Sequence, residues 1–320
     1  MFKKLMAKIG VGSATVDLRL DKDAYRLGET MTGTIHISGG NVEQRISDLS
    51  VVLMMKAYVK GQAITRPVQS IPVLHGFTVQ PKPFAQEVPF SYVIPNDLAL
   101  STHSIHYYLH TKLDVELALD PTDMDAVRVL PPAHIEKVFA SLDALAFRQK
   151  PDSGKLTPYG QEFSFIPTRP LPVALRELEV IFFESPEGLR LLVEFDIAQH
   201  GFFRREVERK AEIVIPREYL EDGAEGELTR YLSEKIETYL THPEAIPYFS
   251  LASYRHGHRG HHSHGMGSMI GGMAVGLLGG MLIGEMMSEA GELLGVDDMF
   301  DGGGDGGDGG DFGGFGDFDL

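Results

Sequence analysis

The chain has 320 residues, 29 Lys and Arg against 45 Asp and Glu, a formal net charge of −16, and neither Cys nor Trp. The lack of Cys excludes disulfides, thiolate nucleophiles and Cys-ligated zinc, and fits a reducing compartment. Eleven of the acids and no Lys or Arg fall in residues 285–320; taking those eleven from −16 leaves −5 for the rest, which has no basic field to recruit nucleic acid through its phosphates.

Residues 1–12 read as a short amphipathic helix. Phe2, Leu5, Met6 and Ile9 share one helical face, with Lys3, Lys4 and Lys8 around it. Such a helix packs on the first domain or touches anionic membrane. It does not read as a secretion signal, because Asp17, Arg19 and Asp21 interrupt any apolar core.

Residues 13–132 read as a β-sandwich. Ala14, Val16, Leu18 and Leu20 alternate with polar residues, a strand with one buried face. Leu27-Gly28-Glu29 turns the chain into Gly33, Ile35 and Ile37, and Gly39-Gly40 ends that strand. Leu49, Val51, Leu53 and Met55 alternate again; Phe77 and Val79 continue the pattern before Pro81-Lys82-Pro83. Val88, Phe90, Tyr92 and Ile94 form one face, and Ile105 to Val115 is a longer strand of the same kind. Short strands separated by Gly and Pro turns predict an antiparallel sandwich.

Pro131-Pro132 closes that domain. Over His134 to Arg148 the period changes: Ile135, Val138, Leu142 and Leu145 sit three or four apart, which predicts a helix within a linking region 133–158. Pro151 to Pro158 reads as its loop. Residues 159–250 read as a second, smaller sandwich with strands at Gln161–Ile166, Leu178–Phe183, Leu189–Phe195 and Glu212–Ile215. Leu228, Tyr231, Leu232, Ile236, Tyr239 and Leu240 then mark another amphipathic helix.

The remainder is of different composition. Residues 251–264 form a His-rich spacer with His256, His258, His261, His262 and His264. No charged residue occurs from Gly260 to Gly284. Within 265–295, Gly272, Gly276, Gly280 and Gly284 recur every four residues, a small-residue stripe that lets two helix backbones approach. Eight glycines between Gly265 and Gly284 weaken a helix by about 1 kcal/mol each relative to alanine, so membrane insertion, packing on the body and a mobile segment stay open. Residues 296–320 are Gly, Asp and Phe, a composition that buries too little apolar surface to fold alone.

The quoted segments Phe2-Lys3-Lys4-Leu5, Asp21-Lys22-Asp23-Ala24-Tyr25, Leu27-Gly28-Glu29 and Gly39-Gly40-Asn41-Val42-Glu43-Gln44 together resemble the SpoOM family of bacterial sporulation-control proteins. Val88-Pro89-Phe90-Ser91-Tyr92-Val93-Ile94-Pro95, Leu119-Asp120-Pro121-Thr122-Asp123-Met124-Asp125 and Glu177-Leu178-Glu179-Val180 extend the resemblance over residues 1–216. It implies an arrestin-like fold of two tandem β-sandwiches and a non-enzymatic, cytoplasmic regulatory role. Leu27 stands where the family commonly has proline, and the segment beyond Leu251 is not a core family feature.

Candidate sites are few. No G-x-S-x-G elbow, P-loop or H-E-x-x-H occurs, so no catalytic or cofactor-binding residue is named. Asp120, Asp123 and Asp125 read as an acidic loop whose carboxylates bond nearby backbone N–H groups, or ligate Ca²⁺ through hard oxygens. The five histidines have spacings that suit Zn²⁺, Ni²⁺ or Cu²⁺. Phe312, Phe315 and Phe318 are spaced as a short binding motif. The chain therefore reads as a mainly β regulatory scaffold acting through protein partners, with self-association or membrane contact through its tail. The alternative is a membrane-anchored structural protein that oligomerises through its glycine stripe.

Overall fold

A computed structural model describes residues 12–59, 61–116, 119–157, 159–185, 187–198 and 206–246. Strands β1 (Thr15–Leu20), β2 (Ala24–Arg26), β3 (Thr30–Ser38), β4 (Gln44–Val59), β5 (Gln62–Val79), β6 (Ala85–Val93), β7 (Ile105–Val115) and β8 (Thr122–Leu130) come first. Helix α1 (Ala133–Ala144) follows, then β9 (Phe147–Gln149), β10 (Lys155–Thr157), β11 (Gly160–Pro167), β12 (Leu175–Ser185), β13 (Gly188–Ala198) and β14 (Glu206–Pro216). A 3₁₀ turn (Arg217–Leu220) and helix α2 (Glu225–Thr241) end the described body, before a last 3₁₀ turn at Pro243–Ala245.

The first eight strands make two sheets. One has the order β1-β3-β6, the other β2-β8-β7-β4-β5. The alternation read from the sequence is the burial pattern: Val16, Leu18, Ile35, Ile37, Leu49, Val51, Leu53 and Met55 are buried, and their strand neighbours are not. Period-two apolar residues give each strand one core face, and facing the two sheets buries both. Gly28 turns β2 into β3 at φ 78°, a left-handed conformation that costs glycine little. Gly33 lets β3 pass β1 closely, since a Cβ there would lie 2.5 Å from the Arg19 carbonyl.

The β4–β5 hairpin is longer than the sequence suggests. Its strands run 16 and 18 residues. Pro67, Pro72 and Gly76 all sit in one edge strand. The register slips between Leu49 and Ser50 and between Leu53 and Met54, leaving Val73 and Val68 as extra residues of β5. Each bulge follows a proline, the position where an edge strand tolerates one.

Three other expectations are corrected. The acidic segment is not all loop, because Thr122 onward pairs with β7, placing Asp123 opposite Thr111 and Asp125 opposite Leu109. The helix expected to Arg148 ends at Ala144, where Ala146 takes φ 65° and Phe147 begins pairing with Pro167. Within the expected loop 151–158, Lys155–Thr157 pairs as β10 with β11.

In the second half, the described strands form one sheet in the order β10-β11-β12-β13-β14, with β9 also pairing β11. Its facing layer is helical. Ile135, Val138 and Leu142 of α1 and Leu228, Leu232 and Ile236 of α2 are buried on the stripes read from the sequence. Phe139 of α1 stands 5.0 Å from Phe163 and 5.4 Å from Phe182, ring centre to ring centre. Apolar residues of both halves join one buried cluster. Gln161, 0% exposed, clasps the halves: its Oε1 accepts the Leu100 N–H at 2.6 Å, and its Nε2 donates to the Leu100 and Gly154 carbonyls at 3.0 Å.

Candidate functional site

The acidic segment is the one sequence-derived candidate among the described residues. Asp120 accepts the Val115 N–H at 3.0 Å and pairs with the Lys112 ammonium at 2.9 Å. Partial burial works against its charge, but these two donors hold its pKa below the usual carboxylate range. Asp123 Oδ2 accepts the Leu18 N–H of β1 at 2.8 Å. Asp125 is pushed up to about 6, first by burial and then by the neighbouring charge and hydrogen bond of Asp123 and the charge of Asp17. The turn chemistry expected of these residues is realised at Asp120, while Asp123 instead closes a gap between strands. Among the described residues no three His, Cys, Asp or Glu side chains are arranged to hold a metal ion. His256, His258, His261, His262 and His264, the glycines at 272, 276, 280 and 284, Phe312, Phe315 and Phe318, and residues 1–11 of the expected N-terminal helix all lie outside the described residues.

A second cluster was missed by sequence reasoning. On the face of the second sheet away from the helices, Ser164, Glu179, Glu194 and Lys210 form one cross-strand row, and Glu162, Ile181, Leu192 and Glu212 form the next. Glu162, Glu179 and Glu194 line a cavity of about 160 Å³ with Tyr159, Ile181, Leu192 and Lys210. Burial raises the Glu162 carboxyl to about 7, helped by the charges of Glu179 and Glu194. Glu179 and Glu194 are also raised, each mainly by burial. For Glu194 that burial outweighs the Lys210 ammonium at 2.7 Å. The signal in the sequence was acids at period two inside apolar strands: Glu177 and Glu179 flank Leu178, and Glu194 and Asp196 flank Phe195. Only the register shows that they converge.

Two further surfaces bear on recognition. The groove between α2 and the loop before β12 is lined by Leu145, Phe147, Leu171, Ile236 and Leu240, with Arg169 and Glu237 at its rim, and holds about 280 Å³. The outer edge of β5 carries no partner strand among the described residues, and most of its residues are exposed or half-buried. A sheet edge offers unpaired backbone donors and acceptors to a second strand. Proline and bulge pairs interrupt its middle, leaving Gln62–Arg66 and Leu74–Val79 as the regular stretches. No described helix is long and apolar enough to cross a membrane.

Comparison with known proteins agrees with this architecture. The family described as SpoOM protein matches residues 2–199. The sporulation-control protein spo0M of Bacillus subtilis (strain 168) is 34% identical over 212 residues, covering 62% of this chain and 82% of that protein. The crystal structure of Spo0M, sporulation control protein, from Bacillus subtilis superposes with a TM-score of 0.56 at 27% identity, covering 72% of this chain and all of that one. The mainly β architecture, the matched span and the shared identity together make this chain a member of the SpoOM sporulation-control family.

Proposed function

We propose that this protein is a non-catalytic, arrestin-like regulatory adaptor of the sporulation-control type that acts in the cytoplasm by binding other proteins. The observation that carries this reading is the long edge of β5, which has no partner strand among the described residues and borders a two-sheet frame. An extended partner segment adding to that edge gains main-chain hydrogen bonds for affinity and side-chain pockets on alternate residues for selectivity. The neighbouring outer sheet face supplies such side chains in Met54, Tyr58 and Tyr108, with Lys56 lying 5.4 Å over the Tyr58 ring. Family membership supports a regulatory role. The test is photo-crosslinking in the native host, with benzoylphenylalanine placed at Thr65 or Thr78 and, as control, at Arg19. The adaptor reading expects a discrete protein adduct from β5 and none from the control. A fully functional protein that yields no adduct at either β5 position would sink it.

The membrane-anchored alternative rests on the glycine stripe at 272, 276, 280 and 284. Fractionation of the full chain against a version ending at Tyr254 separates the readings. Retention of only the full chain through carbonate washing supports an inserted tail, and equal solubility of both removes the anchor.

A further inference from the structure

Strand β8 pairs with β7 along one side, but on its other side β2 covers only Arg128, Val129 and Leu130. The rest of that edge faces β1, which belongs to the other sheet. No backbone ladder joins β1 to β8; the link between them is the bond from the Leu18 N–H to Asp123 Oδ2. Asp125 lies two residues along the same face, with Oδ2 buried and met by no donor other than the Asp123 carboxyl. Beside Asp123 in the register is Thr111, which is 0% exposed and whose hydroxyl lacks a partner.

The charged surroundings are one-sided. From β1 the nearest ionisable group is Asp17, whose own partner is the exposed Arg19 at 2.9 Å. From β3, His36 stands opposite Asp17 in register and is held by Glu87 of β6 at 3.4 Å. From β7, the inward neighbours Leu109, Thr111 and Leu113 carry no charge. The nearby cation Lys112 alternates with those residues on the opposite face, where it binds Asp120. Two carboxyl groups so placed, with no cation between them, are best accommodated when one is neutral and donates to the other.

We propose that Asp123 and Asp125 form a proton-operated latch across the seam between β1 and β8. With Asp125 protonated, its hydroxyl donates to Asp123, whose other oxygen holds the Leu18 amide. When Asp125 gives up that proton to solvent, two negative charges meet in a partly buried seam. Asp123 then turns toward water, the Leu18 N–H loses its acceptor, and the β1 edge opens. The latch is independent of the adaptor reading, since it concerns a movement within the first half and needs no partner.

The test is amide exchange of Leu18 in the full chain by NMR from pH 4.5 to 8, corrected for the intrinsic rate. Protection is expected to fall by up to about tenfold per pH unit as pH rises from the ordinary carboxylate range to about 6, and to level off above it. Asp125→Asn keeps a donor toward Asp123 and is expected to keep Leu18 protected throughout. A flat wild-type profile overturns the latch, as does an Asp125→Asn profile that falls like the wild type. If that variant does not fold, the Asp125 carboxyl carbon of the wild-type chain is titrated directly. An inflection near 6 supports the latch, and one in the ordinary carboxylate range overturns it.

Discussion

Replacing Glu162 with Gln should remove a pH dependence from the second half of the molecule. The Glu162 carboxyl ordinarily titrates at 4.5 and is pushed to about 7 by burial beside Glu179 and Glu194. Its folded-state pKa is raised, so the folded protein holds this proton over a range in which the unfolded chain has released it. The group's contribution is therefore fully present below its unfolded pKa and is lost as pH rises through about 7. At roughly 1.4 kcal/mol per pH unit, the ionised side chain costs about 2–3 kcal/mol at pH 8 once solvent screening of a half-buried group is allowed for. Glu162→Gln matches the neutral form in shape. It should leave stability near wild type at pH 5 and raise it at pH 8, with Glu179 and Glu194 ionising more readily once their neighbour is neutral. Urea unfolding followed by circular dichroism reads this as an increase of about 1 M in the pH 8 midpoint, given slopes of about 2–3 kcal/mol per M. A variant that loses stability between pH 5 and 8 as steeply as the wild type would refute the argument, because the carboxylate row would then not be the source of the slope.

Other perturbations follow from the packing. Gln161→Leu strands the buried Leu100 amide and carbonyl that the amide side chain satisfies, and should cost about 2–4 kcal/mol by chemical denaturation. Phe139→Ala removes the ring that α1 sets against Phe163, Phe165 and Phe182, and should cost about 3 kcal/mol while increasing amide exchange in α1. Gly33→Ala places a methyl 2.5 Å from the Arg19 carbonyl; overpacking of this kind costs about 1–3 kcal/mol and should lower the melting temperature, with β1 amides losing protection first.

Most of the strand inventory was legible because burial and alternation are the same fact seen twice. Ile105 to Val115 shows strict period two, and the strand occupies those residues. The helix stripes Ile135–Val138–Leu142 and Leu228–Leu232–Ile236 were equally plain. Less legible were features with a tertiary explanation. Pro67 and Pro72 sit inside β5, where an edge strand has one side on which a missing N–H costs nothing. The aspartates at 123 and 125 read as loop chemistry until β7 provided a pairing partner.

By itself the sequence determined which residues turn inward, because apolar periodicity expresses the hydrophobic effect residue by residue and needs no knowledge of neighbours. It also carried the family, through ordered segments spread over the first two thirds of the chain. Only the tertiary structure decided which polar residues meet. Cross-strand register brought Glu162, Glu179 and Glu194 to one cavity, set Asp123 against the Leu18 amide, and sent Gln161 to Leu100 across 61 residues. Such meetings depend on strand order and a one-residue register. A slip of one residue would reverse every side chain while leaving the periodicity unchanged.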